Sequence, residues 1–273
     1  MGAPDPGAQW LAGLSDIGGP TRLLAPVMKW AITVRTVYNL ADTFHRACQI
    51  AMSPPMGPVF ANVPLELMLE QVALERLPHP PEIAAVPQAD VATLQQVAAL
   101  LMQARHPVVF TEAAGKDPEA VDALMALAEL LGLQVVEAPA PACTNFPTHH
   151  PAHQGYSPRP FLHEADVILL VESPTPWHPP SKGPGPGCKV ISISQDPDLA
   201  RRPYSGYPCD VRIHGPAATH LKALLQIVRD LHGRQSDGPV HCEERAIRLR
   251  DNHLCLREAA RQEALAAKDA APH

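Results

Sequence analysis

From residue 90 onward, short apolar runs alternate with longer segments whose apolar positions recur at helical spacing. The runs are PVVFT (107–111), QVVEA (134–138), DVILLVE (166–172) and KVISIS (189–194), with a further strand near 209–213. Each is rich in β-branched residues and bounded by Pro, Gly or polar residues, the pattern of a strand buried on both faces. Helical spacing falls over 90–104, 118–131, 216–231 and 241–268, with a short helix near 159–164. Helices between most strands predict an α/β domain: an open, mostly parallel sheet with helices on both faces. The segment 241–268 is rich in Arg, Glu and Ala and carries few large apolar residues, so it reads as a solvated helix or tether.

Ahead of that domain the pattern thins. Residues 1–38 read as irregular. A helix is predicted over 39–51 from Leu40, Phe44, Ala47, Cys48 and Ala51, and the prolines of SPP at 53–55 stop it. GPVFANVP (57–64) reads as a short buried strand, and Glu66–Leu74 as a second short helix. One clear helix and one clear strand are too little for a self-sufficient core. Residues 1–74 are therefore expected to be a partial α/β domain. The strand at 57–64 should then lack sheet partners of its own, leaving it exposed, paired with another chain or poorly ordered. ERLPHPPEIAAVPQAD (75–90) holds four prolines and no periodicity, which predicts an extended linker over 75–89. The α/β domain then covers 90–233 and a helical tail 234–273.

Composition narrows the class. The 273 residues are 46% hydrophobic, enough for a sizeable core, and the net charge of −6 argues against a nucleic-acid partner. No stretch approaches the ~18 apolar residues of a membrane span. Six cysteines without paired spacing, and no basic, apolar leader, predict free thiols and a cytoplasmic location. The 32 prolines are about twice the usual share, so several connections should be stiff.

The stretch CTNFPTHHPAHQG (143–155) holds one cysteine and three histidines. Zinc sites use Cys or His pairs at set spacings. Here His149 and His150 are adjacent and Cys143 has no partner pair, so a Pro-punctuated loop is the reading and no metal is assigned. After PVVFT the chain runs EAAGKDPEA, with Gly115 and Lys116 just before a helix. This is neither GxGxxG nor a P-loop, which speaks against a free-standing NAD enzyme. Two readings stand: a plain connecting loop, or an anion held by backbone amides at the helix start. Asp196, just past KVISIS, sits where a ribose-binding acid often lies, and it equally starts a turn. No Ser-His-Asp or Cys-His arrangement emerges, so no catalytic residue is assigned.

Taken together these segments resemble the thiamine-diphosphate-dependent enzymes of the acetolactate synthase and 2-oxo-acid decarboxylase group. The Lys29-Trp30 pair, the Arg46-Ala47 helix and the Gly57-Pro58-Val59 strand ending at Val63-Pro64 are similar to the second half of that family's pyrimidine-binding domain. LLMQARHPVVF, LAELLGLQVVEAP, NFPTHHPAHQG, EADVILLVESPTPWHPP and KVISISQDPDLA follow in the order of its central domain. SPTPWHPP is most similar to the acetolactate synthase-like branch. The resemblance implies thiamine diphosphate and Mg²⁺ as cofactors of the whole enzyme, C–C bond cleavage or formation next to a 2-oxo-acid carbonyl, and Lys29 as a substrate-channel candidate. It also implies that 143–155 is a family loop.

The family's activating glutamate lies in a half-domain that precedes the matched part, and its diphosphate–Mg²⁺ motif, Gly-Asp-Gly, does not occur in this sequence. The expectation is a fragment that is catalytically incomplete alone, its tail leading to an absent diphosphate-binding domain. Its partners would be further copies of itself or the missing domains. Some relatives hold FAD or ADP in the central domain. The Glu112-Ala-Ala-Gly-Lys116 loop and Ser194 depart from their pattern, so nucleotide binding is doubtful here. The alternative is a non-catalytic nucleotide-binding or subunit-contact module on the same scaffold.

Overall fold

In the computed structural model the chain divides into two compact units, Met1–Val86 and Pro87–His273. The structure describes residues 2–3, 18–71, 85–139, 141, 143–197, 207–234 and 242–267. Most of the expected linker, residues 75–84, lies outside them.

The first unit holds β1 (Gly2–Ala3), α1 (Pro20–Leu24), β2 (Trp30–Thr33), α2 (Leu40–Met52), β3 (Val59–Pro64) and α3 (Leu65–Met68). β3 lies between β1 and β2, both parallel to it, with Trp30 opposite Val59 and Gly2 opposite Val63. The expectation of an unpaired 57–64 strand is therefore wrong, because residues read as irregular supply both neighbours. β2 is only four residues long and none of them is fully buried. That is too short for a periodicity signal. α3 ends at Met68, and residues 72–74 of the longer predicted helix lie outside the described residues. On α2, Thr43 and Ala47 are buried, whereas Phe44 and Cys48 of the predicted apolar set are exposed.

The second unit follows the pattern closely. Its elements are α4 (Val91–Gln103), β4 (Pro107–Thr111), α5 (Pro118–Leu131), β5 (Gln134–Glu137), α6 (Arg159–Leu162), β6 (Val167–Val171), β7 (Lys189–Ser194), β8 (Val211–His214), α7 (Ala217–Arg234) and α8 (Cys242–Ala267). The strands form one sheet in the order β5-β4-β6-β7-β8, and every pairing is parallel. β4, β5 and β6 are buried along their whole length, as their near-continuous apolar runs require. Asp90 caps α4 by accepting the Thr93 N–H at 2.7 Å, and Asp117 caps α5 by accepting that of Glu119 at 3.0 Å. Gly132 ends α5 at φ 61°, the left-handed cap that glycine adopts without a Cβ clash.

The two faces of the sheet are covered unequally. One core joins α4, α5, α7 and Leu249 of α8 to the sheet through Val109, Val135, Leu169 and Ile191. The other rests Leu162, Ala165 and Trp177 on Val108, Phe110, Ile168 and Val190. Among the described residues the second face is covered by the four-residue α6, the Pro/Gly-rich connection and Tyr207. Phe146 is fully buried in the helix-side core and fixes the 143–155 loop there. Burying such a ring is worth about 2–3 kcal/mol. α8 is held by its first turns. Arg245 Nη1 donates to the Ala104 carbonyl at 2.9 Å, Gln154 donates to the Leu249 carbonyl at 3.1 Å, and His253 Nδ1 lies 2.8 Å from the His153 carbonyl. From Leu254 to Ala267 the helix is exposed.

Candidate functional site

The order of the five strands reverses direction between β4 and β6. Connections leave these neighbours toward opposite sides, which opens a crevice beyond their carboxyl ends. Three consecutive positions along that edge are glutamates: Glu137 ends β5, Glu112 follows β4 and Glu172 follows β6.

Glu172 is the distinctive residue. It alone among the described non-glycine residues has a positive φ, 46°. For an L-residue that conformation costs on the order of 1 kcal/mol. It turns the chain sharply at the end of β6. The carboxylate accepts the Ser194 hydroxyl at 3.1 Å and the Gln195 N–H at 3.1 Å, so it lies across the end of β7. Ser194 Oγ in turn accepts the Asp196 N–H at 3.1 Å. Burial pushes the Glu172 carboxyl above its ordinary range. The hydrogen bonds from Ser194 and Gln195 and the charge of Lys116 oppose this, and the charge of Asp196 adds to it. This carboxyl holds its proton to higher pH than an exposed glutamate does.

The second cluster is centred on Asn145, which is fully buried. Its backbone N–H and its Nδ2 both donate to Glu137 Oε2, at 2.9 and 3.0 Å. Nδ2 also meets the carbonyls of Glu112 at 3.0 Å and Cys143 at 2.8 Å, while Oδ1 accepts the Gly115 N–H at 3.0 Å. His153 Nε2 lies 3.2 Å from Glu137 Oε1. Burial raises the Glu137 carboxyl, but the hydrogen bonds from His153 and Asn145 outweigh it and hold this acid below its usual range.

The candidates from sequence are distributed as follows. Lys116 and Asp196 come together through their electrostatic effect on Glu172. Gly115 faces the other cluster. A Cβ there would stand 1.9 Å from the Thr144 carbonyl oxygen, so glycine is required for close backbone packing, and its N–H is already taken by Asn145. Lys29 lies in the first unit, where Nζ donates to the carbonyls of Ile50 at 2.6 Å and Ser53 at 2.5 Å and so caps the end of α2. In the histidine loop two of the three rings have separate acidic neighbours. His150 Nε2 is 3.2 Å from Glu129, and His153 meets Glu137. Among the described residues no three His, Cys, Asp or Glu side chains are placed to hold a metal ion. Glu172, Glu137 and Asn145 were not candidates. The signal of the two glutamates is a lone acid ending a largely apolar strand, in VILLVE and QVVE.

The amide that the Gly115 turn could offer is engaged by Asn145, and the charges of Lys116 and Asp196 act on Glu172.

A five-stranded parallel sheet in this order, wound on both sides of a switch point, defines an open α/β ligand-binding scaffold. Residues 94–224 match the family model for the thiamine pyrophosphate enzyme central domain. Solved structures agree. A protein from Mycobacterium smegmatis described as a thiamin diphosphate-dependent enzyme superposes with a TM-score of 0.66 at 25% identity, over 76% of this chain and 41% of its own. Benzoylformate decarboxylase from Polynucleobacter necessarius gives 0.65 at 21% identity, over 80% of this chain and 41% of its own. The 4-hydroxybenzoylformate decarboxylase of Rhodococcus jostii gives 0.59 at 24% identity, over 76% and 41%. Residues 94–224 are thus similar to the central domain of the thiamine-diphosphate-dependent enzymes. The chain spans 41% of the length of each of these structures.

Proposed function

We propose that this chain is the scaffolding part of a thiamine-diphosphate enzyme acting on 2-oxo acids, and that it does not catalyse alone. The match of residues 94–224 to the central domain carries this reading. In the whole enzyme the cofactor supplies an electron sink for the carbanion formed next to the substrate carbonyl. The sequence has no Gly-Asp-Gly, and the described residues offer no cluster able to hold Mg²⁺. The substrate is a 2-oxo acid. The likeness to two decarboxylases favours a lyase over the acetolactate-forming transfer suggested by SPTPWHPP.

The partners are further copies of the chain or the other domains of the same enzyme. Exposed Leu23, Val27, Tyr38 and Leu69 in the first unit support this. The cytoplasm remains the proposed location. No helix among the described residues is long and apolar enough to cross a membrane.

The purified chain, given thiamine diphosphate and Mg²⁺, should neither turn over benzoylformate or pyruvate nor give a saturable heat with the cofactor. FAD and ADP should also give none, because of the acidic edge and the engaged Gly115 amide. Turnover of either 2-oxo acid overturns the scaffold reading. A stoichiometric heat with FAD or ADP favours the nucleotide-binding alternative.

A further inference from the structure

On the sheet face opposite the long helices, α6 and the connection after β6 enclose a groove of about 390 Å³. Arg159, His163, His178 and Lys182 line it, with Leu162 and Trp177 as its carbon surface. Among the described residues no carboxylate lines it. Asp166, three residues past His163, is engaged by the backbone N–H groups of Arg105 at 2.6 Å and His106 at 2.9 Å. None of the four basic residues takes part in the ion pairs of the described residues, which join His150 to Glu129, His153 to Glu137, Lys189 to Asp210 and Lys222 to Glu119. In a chain of net charge −6, four basic residues lining one groove, with no carboxylate among its described lining residues, run against the average. An anion entering the groove meets the positive charges of Arg159 and Lys182.

We propose that this groove binds a phosphomonoester, a small organic molecule carrying a dianionic phosphate. Arg159 and Lys182 bring two permanent positive charges, which match a dianion. A single carboxylate leaves one of them uncompensated, and a triphosphate exceeds them. The guanidinium fork pairs two phosphate oxygens at once, and Lys182 acts as a point charge. Each imidazole offers an N–H in either tautomer. Leu162 and the rim of Trp177 receive the carbon part, and the volume lies in the range of small-ligand clefts. These residues are separate from the Glu172 cluster, and the proposal does not rest on thiamine chemistry.

The test is calorimetric titration of the whole chain with phenyl phosphate, inorganic phosphate and benzoate. Phenyl phosphate should bind saturably at one site, inorganic phosphate several-fold more weakly, and benzoate not at all. The Arg159→Gln/Lys182→Gln double variant should bind phenyl phosphate about tenfold or more weakly, the effect of losing charge-assisted hydrogen bonds, with an unchanged melting curve. If that variant does not fold, Lys182→Gln alone serves the comparison. Absence of saturable phenyl phosphate binding, equal binding of benzoate, or unchanged affinity in a folded variant overturns the proposal. Vesicles containing phosphatidic acid distinguish the source of the phosphate. Sedimentation of the chain with them, and no heat from phenyl phosphate, moves the site to a lipid surface and also overturns it.

Discussion

Replacing Asn145 tests how the carboxyl edge is held together. In Asn145→Ala the carbonyls of Glu112 and Cys143 and the Glu137 carboxylate lose their amide donor, and the Gly115 N–H loses its acceptor. A buried polar group left without a partner costs about 1–3 kcal/mol. Glu137 keeps the Asn145 backbone N–H and His153, and Cys143 is partly exposed, so the losses do not add in full. The expected destabilisation is about 3 kcal/mol. Asn145→Asp keeps the shape but turns the donor into an acceptor, facing three acceptors where Nδ2 stood 3.0 Å from Glu137 Oε2. Two carboxylates that close cannot both ionise without penalty, so the cost should exceed that of alanine near pH 7 and shrink below about pH 5. Native-state hydrogen exchange of the β4 and β5 amides, read by mass spectrometry, measures all three chains in the right unit. An aspartate variant as stable as the alanine one, or either within about 1 kcal/mol of wild type, would falsify the assignment of Nδ2 as the central donor.

Other outcomes follow from the same geometry. Glu137 and Glu172 should give opposite pH dependence. The lowered carboxyl of Glu137 contributes stability that is present above the ordinary glutamate pKa, about 4.3, and is lost as pH falls through its folded value. The raised carboxyl of Glu172 costs stability as pH rises above that value. Urea midpoints from pH 3 to 8 should therefore depart from wild type in opposite directions as pH rises, Glu137→Gln falling below it and Glu172→Gln rising above it, and parallel curves contradict the assignment. Lys29→Met removes two charge-assisted bonds from the end of α2 and should cost about 1–2 kcal/mol, seen as faster exchange of the last amides of that helix. Unchanged exchange there means the cap is not structural. Burial and the charges of Asp166 and Asp210 push the Cys188 thiol up to about 11. At pH 8 iodoacetamide should label exposed Cys48 and Cys255 well before Cys188, and equal labelling contradicts this.

Much of the second unit is legible in the sequence because its strands are buried on both faces. PVVFT and KVISIS coincide with β4 and β7 residue for residue, since apolar runs cut by Pro, Gly or polar residues leave little choice of boundary. The first unit is less legible for a physical reason. Trp30–Thr33 is half-buried and short, and Gly2–Ala3 carries no pattern at all, so both strands become strands only through pairing with β3. The site divides in the same way. Lys116 and Asp196 stood out because they follow strands at the edge where ligands bind. Asn145 could not, because its importance comes from bonds to residues 8 to 33 positions away. Glu172 carried a signal in its backbone, and a positive φ at a glutamate is invisible in sequence. The SPTPWHPP loop yields the basic groove only when folded back onto α6.

The attachment of α8 has a mechanical consequence. Its three holds occur one turn apart, at Arg245, Leu249 and His253, and run from the entry of β4 toward the exit of β5. The remaining 14 residues, Leu254 to Ala267, extend about 21 Å with exposed side chains. Force applied to that free end falls first on the bond to the His153 carbonyl, next on Gln154, and last on Arg245. The helix therefore peels like a zip rather than shearing off at once. Its first tooth to open is the one beside Glu137, so tension on the tail is felt at the carboxyl edge before it reaches the rest of the domain.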